Sequence, residues 1–136
     1  MAYHLIFNQF SSYDAGQPGI TIPVTLSLAE VQVLLNAKID TGASECIFAR
    51  QYGEKLGIDI ESGELIEIGT ATGSFRAFRH PVILKILGYE FDVRVCFAAN
   101  EFFNRNVLGR HGFLDRVRIA FVDYEGKVYL SEVNEE

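Results

Sequence analysis

Asp40-Thr41-Gly42 is the triplet in this sequence whose residue types and spacing can do chemistry. A carboxylate at the end of an apolar run, followed at once by a hydroxyl and a glycine, is either a tight turn or an acid held to activate water. Asp and Gly are both common in turns, so a turn alone would explain the triplet. Chance places it in a chain of this size only on the order of a few per cent of the time. The setting narrows it further. In NAKIDTGASECIF, residues 36–48, Asp40 closes a strand-like run, Ala43 and Ser44 follow the glycine, and the chain then turns apolar again.

An acid in that place needs elements to hold it, and the preceding residues supply a strand pair. Ile20, Ile22, Val24, Leu26 and Leu28 alternate with smaller or polar residues, and Val31, Val33, Leu35, Ala37 and Ile39 continue in the opposite parity. Folding the chain at Ala29-Glu30 sets Leu28 against Val31, Leu26 against Val33 and Ile22 against Ala37. All ten then share one face, as an antiparallel hairpin with one buried side requires. Its second strand delivers Asp40. Residues 49–57 read as a short helix closed by Gly57. A second hairpin follows: Glu64–Gly69 as a strand, a polar tip of Thr70, Ala71, Thr72, Gly73 and Ser74, and a return from Phe75 to Arg79. With no large apolar anchor of its own, the tip is expected to be mobile. Pro81 is expected to open a new strand through Val82, Leu84 and Ile86, which turns at Leu87-Gly88 and returns through Phe91, Val93, Val95 and Phe97. Residues 98–106 read as a loop. Residues 107–117 read as a short strand, a glycine and one or two helical turns, and 118–123 with 127–133 as a closing hairpin. The sum is one all-β domain with one or two short helices.

Composition narrows the function classes. The chain has 136 residues, enough for one hydrophobic core, with 49% hydrophobic and 22% charged residues. A net charge of −6 with scattered basic residues argues against a nucleic-acid partner. No apolar run reaches the ~18 residues of a membrane span, and the N-terminus shows no leader pattern, so the expected location is cytoplasmic. Cys46 and Cys96 lie in strand-like apolar stretches and read as buried free thiols. His4, His80 and His111 stand apart without ligand spacing, so no metal and no organic cofactor is expected.

The second informative stretch is Asn106-Val107-Leu108-Gly109-Arg110. Two apolar residues and a glycine, placed after an Asp-Thr-Gly and a polar-tipped hairpin, resemble the retroviral-type (retropepsin-like) aspartic proteases. The order of elements matches over roughly residues 20 to 130. The resemblance implies a closed acid-protease β-barrel subunit with a flap hairpin, the flap tip being Thr70, Ala71, Thr72, Gly73 and Ser74. It implies that Asp40 is catalytic, that Thr41, Gly42, Ala43 and Ser44 form the supporting loop, and that Val107, Leu108, Gly109 and Arg110 belong to the strand that braces it. In viral members the matching arginine pairs with an acid soon after Asp-Thr-Gly. Here that position is Ser44 and the next acid is Glu45, which leaves Arg110 either paired with Glu45 or a plain surface residue.

One carboxylate cannot both activate water and protonate a carbonyl, so a chain with a single Asp-Thr-Gly implies a homodimer that shares one site. Thr41 would then bond across the dimer, and the substrate would be a polypeptide lying as an extended strand under the flap. Residues 1–19 fall outside the resemblance as an N-terminal extension, with Tyr3, Phe7 and Phe10 marking an interface strand. Residues 20–136 form the protease domain, and the C-terminal strand around Val128 to Val133 is expected in an intersubunit sheet. Phe102 and Phe103 are expected to pack in the core or touch a partner, or else to line a substrate pocket. Ala43 offers no hydroxyl to the catalytic carboxylate, unlike pepsin-like enzymes, so activity is expected at mildly acidic pH, about 5 to 6.5. Two other classes remain in view: a dimeric peptide- or protein-binding module on the same fold, and a β scaffold in which Asp40 merely closes a turn.

Overall fold

The computed structural model describes residues 1–136. In chain order the strands are β1 (Gln9–Ser12), β2 (Ile20–Leu28), β3 (Val31–Ile39), β4 (Ile47–Phe48), β5 (Glu64–Thr70), β6 (Gly73–Ile86), β7 (Tyr89–Ala98), β8 (Val107–Leu108), β9 (Val117–Val122) and β10 (Lys127–Glu132). One α-helix, α1 (Arg50–Lys55), follows β4.

The register of β2 and β3 is the one that side-chain alternation demands: Leu28 opposite Val31, Leu26 opposite Val33, Ile22 opposite Ala37. Ile22, Val24, Leu26, Leu35, Ala37 and Ile39 are buried in the main core, and Ile20, Leu28 and Val33 pack against it. Val31, beside the turn, is 42% exposed and departs from the pattern. Hydrogen-bonded neighbours then run β2-β3-β8-β4-β7-β6, and β6 returns to β2 through Leu26 opposite Leu84, so the strands close into a ring. The ring is closed through every strand, although β3 meets β8 only at Lys38 and Ile39 and keeps a free edge before them. Burial of each large side chain inside, such as Phe48, Phe97 and Leu84 at 0% exposure, contributes about 1.5–3 kcal/mol.

β5 lies outside the ring, paired only with β6, and the two form the flap hairpin. β6 runs unbroken through Pro81, contrary to the expected new strand. Its pairing with β5 ends at Arg79, and its pairing with β2 begins at Ile83. Pro81 thus stands where the strand exchanges one neighbour for another, which is where a missing N–H costs least.

α1 ends as expected. Gly57 takes φ +83°, and the N–H of Ile58 donates to Gly53 O at 3.0 Å. The helical turns expected after Gly109 shrink to one 3₁₀ turn at Leu114–Arg116. Gly112 at φ +100° interrupts the segment, and its N–H is held by Asp115 Oδ1 at 3.0 Å. No helix of the chain is long and apolar enough to cross a membrane.

A second sheet has the order β1-β10-β9 and sends Val128 and Leu130 into the core. Residues 1–19, expected to supply an interface strand, carry β1, which pairs with the chain's own C-terminal strand: Phe10 lies opposite Tyr129 and Ser11 opposite Val128. Both edges of β10 are filled within one chain. An intersubunit sheet built on β10 would require β1 or β9 to yield its place.

Candidate active site

Asp40 sits immediately after β3, partly buried, where the barrel opens. Its own N–H donates to Leu108 O at 3.0 Å, and its backbone oxygen accepts from Ala43 N at 3.1 Å. The carboxylate is also held, since Gly42 N donates to Asp40 Oδ1 at 2.9 Å. A Cβ on Gly42 would stand 3.3 Å from that same oxygen, so the glycine gives the side chain room to turn back over the loop. Thr41, Gly42 and Ser44 are exposed at the mouth, and Ala43 is half-buried.

The resemblance implied a strand at residues 107–110 beside this loop; the strand observed is β8, Val107–Leu108. β8 lies parallel to β3, with Lys38 beside Val107 and Ile39 beside Leu108, and antiparallel to β4 at Ile47. Two further bonds continue the ladder into the loop: Arg110 N to Ala43 O and His111 N to Ser44 O, each 2.9 Å. A Cβ on Gly109 would fall 2.7 Å from Ala43 O and closer still to Glu45 O, so only glycine lets the two segments meet. Beneath them, Gly109 N donates to Cys46 Sγ at 3.4 Å. Cys46 and Cys96 are free and buried. Burial pushes the Cys46 thiol up to about 12 and the Cys96 thiol up to about 11. They stay protonated at neutral pH and present no charge under the loop.

The acid that follows the loop does find an arginine, but not Arg110. Glu45 Oε1 pairs with Arg79 Nη2 at 2.6 Å, and Arg79 Nη1 reaches Glu64 Oε1 at 2.6 Å. Arg110 is exposed, contributes its backbone N–H and makes no ion pair. Arg79 lies on β6 and Glu64 on β5, so the base of the flap is tied to the Asp40 loop through side chains that are only 22% and 12% exposed on Arg79 and Glu45. Sequence reasoning missed this pair. The signal was parity: Phe75, Ala77 and Arg79 alternate onto the face of β6 turned toward the loop.

The flap covers a cleft of about 750 Å³ whose floor includes Asp40, Ala43 and Ile47 and whose roof includes Ile66, Ile68 and Thr70. Its tip is tighter than the expected Thr70–Ser74 loop. Thr70 pairs with Gly73, leaving Ala71-Thr72 as the turn, and Thr70 Oγ1 donates to Gly73 O at 3.0 Å. The whole tip is exposed. Behind it, however, the flap has apolar anchors: Ile66, Ile68 and Phe75 pack on a small cluster with Ile47, Phe103 and Val107. Phe75 and Phe103 stack with centroids 4.8 Å apart. Phe103 thus serves both packing and cleft lining, while Phe102 stands at the rim, 83% exposed.

No protein-family model matches the chain, and no curated protein matches it in sequence. Solved structures do match it. EIAV protease, in its complex with the inhibitor HBY-793, is 24% identical with a TM-score of 0.54, over 69% of this chain and 84% of that one. A retropepsin-like aspartic protease from Rickettsia conorii is 17% identical with a TM-score of 0.63, over 90% of this chain and 97% of that one. The ring of strands, the flap outside it and the braced Asp-Thr-Gly loop at its mouth make this chain a retropepsin-like fold.

Proposed function

We propose that the protein is an aspartic endopeptidase that works as a homodimer, with Asp40 of each chain meeting at a shared site. The observation that carries this reading is the placement of Asp40. It is a carboxylate fixed by the Gly42 N–H, on a loop braced by β8, at the floor of a cleft roofed by a hairpin. A turn-closing acid has no need of the cleft, and a peptide-binding module has no need of the acid.

The chemistry follows from two carboxyl groups that share one proton, because like charges at contact distance do not both ionise. The ionised member takes a proton from water as the water oxygen bonds to the scissile carbonyl carbon. The protonated member gives its proton to the carbonyl oxygen. The resulting diol collapses as the C–N bond breaks: the carboxyl that took the water proton gives it to the leaving amine, and the other carboxylate takes back a proton from a diol hydroxyl. Thr41, exposed beside Asp40, would bond to the opposite loop and hold the two carboxyl groups in register. Substrate would enter as an extended strand, with the flap closing over it. The two buried free thiols fit a cytoplasmic setting.

Asp40→Asn is the direct test. The purified variant should remain a folded dimer and lose at least about a thousandfold in kcat on an unfolded protein such as casein. Wild-type activity per chain should fall on dilution and peak at about pH 5 to 6.5. Residual activity close to wild type would remove Asp40 from the mechanism, and a fully active monomer would remove the shared site.

A further inference from the structure

We propose that Arg105 makes the cleft selective for an acidic residue in the bound polypeptide; this rests on reading the cleft as a peptide site. Four charged residues line it: Asp40, Glu45, Glu67 and Arg105. Asp40 is reserved for chemistry, and Glu45 is held by Arg79 at 2.6 Å. Glu67 lies opposite Arg76 in the flap hairpin but forms no ion pair with it, and as an anion it offers nothing to an acidic ligand. Arg105 is the one cation of the lining. It is exposed and pairs with no carboxylate of its own chain.

The loop that carries Arg105 is fixed on both sides of it. Phe103 is stacked on Phe75 at 4.8 Å. Asn106 Oδ1 accepts from Ala49 N at 3.1 Å, and Asn106 O accepts from Lys38 N at 2.9 Å. Further back, Phe102 N donates to Asn100 Oδ1 at 2.8 Å. The backbone that presents the guanidinium is therefore set before any ligand arrives, which lowers the ordering cost of using it. A planar fork of N–H donors suits a carboxylate better than any neutral partner. The net charge of −6 opposes approach of acidic segments at long range, so the preference comes from the contact with the guanidinium itself. In the homodimer the cleft would hold two copies of Arg105, one on each side of the scissile bond. The acid would then be favoured at matching distances on both sides.

The experiment uses one apolar peptide in which Glu is moved through the positions around the cleavage point, each peptide paired with its Gln isostere. With wild-type protein, Glu should exceed Gln in kcat/KM by about threefold to tenfold at one position on each side, mainly through KM, and the ratio should shrink in high salt. Arg105→Gln should bring the ratio to one, and Arg105→Glu should invert it in favour of Gln. Equal cleavage of Glu and Gln peptides, or a preference that survives Arg105→Gln, overturns the proposal while leaving the endopeptidase reading intact. If no peptide is cleaved, the endopeptidase reading fails alone. Calorimetric binding of the same pairs, made with a non-hydrolysable statine unit, then decides Arg105. Absence of binding, or binding indifferent to Arg105, sinks it.

Discussion

The Asp40 loop and the flap tip face each other across one cleft and are built in opposite ways. Around Asp40 the backbone is committed at successive positions, to Leu108, Ala43, Arg110 and His111, and a glycine at 109 lets two chain segments touch. At the tip a two-residue turn stands in solvent, and a Cβ on Gly69 or Gly73 would meet nothing within 4 Å. The same residue type thus serves opposite ends. Gly109 is there because space is absent, and Gly73, at φ +151°, because conformational freedom is wanted. The endopeptidase proposed above would need both, a fixed acid and a cover that opens, and the chain separates them by element and not by composition.

Substitution at these glycines should separate the regions most clearly. Gly109→Ala forces a methyl into the carbonyls of Ala43 and Glu45 and should cost about 2–3 kcal/mol, read as a lowered denaturant midpoint. If stability were unchanged, the loop would be softer than its hydrogen bonds imply. The thiols beneath the loop give the next effect. In the fold they hold their protons to about 12 and about 11, whereas an unfolded chain releases them near 8.5. Their contribution is complete below that pH and is lost as pH rises from about 8.5 toward about 11 for Cys96 and about 12 for Cys46. Each thiol should steepen the loss by about 1.4 kcal/mol per pH unit. Midpoints measured between pH 8 and 10 for wild type and Cys96→Ala should diverge; parallel curves would contradict the burial.

Gly73→Val acts on the other region. It should slow turnover about tenfold and raise KM, and a β-branched residue at φ +151° should cost about 1–3 kcal/mol of stability through backbone strain. An unchanged rate would mean that the hairpin is not the cover. The smallest effect is expected for Arg110→Ala, under about 0.5 kcal/mol, because its side chain is exposed. Arg79→Met provides the contrast. It strands Glu45 and should cost about 1–3 kcal/mol. Equal effects from the two arginines would refute the assignment of Arg79 as the partner of Glu45.

Much of this was legible in the sequence wherever neighbours in space are neighbours along the chain. The β2–β3 register follows from parity alone, because a slip of one residue would turn Ile22 and Leu26 outward. Asp-Thr-Gly and Val-Leu-Gly, far apart along the chain, were read as a pair only through the resemblance to retropepsin-like proteases. The pairing of β1 with β10 was not legible, since the choice between the chain's own C-terminal strand and a partner's leaves no mark on either segment. Nor was the Glu45–Arg79 pair, which depends on how far β6 carries its parity past Phe75. Pro81 misled for a physical reason: it reads as a strand boundary, yet at a change of neighbours a proline interrupts nothing.

The β1–β10 pairing has a consequence for how the chain can be cut and rejoined. It brings residues 8 and 136 together, with Asn8 Nδ2 donating to Glu136 O at 3.2 Å. A few linking residues between them would turn the polypeptide into a circle, and the circle can be reopened elsewhere. Reopening it at Ala71-Thr72 would leave β5 and β6 in place but sever the tip, so that the cover becomes two independent arms. Such a permutant would ask whether the hairpin works as a continuous strap or merely as two strands that happen to lie over the acid.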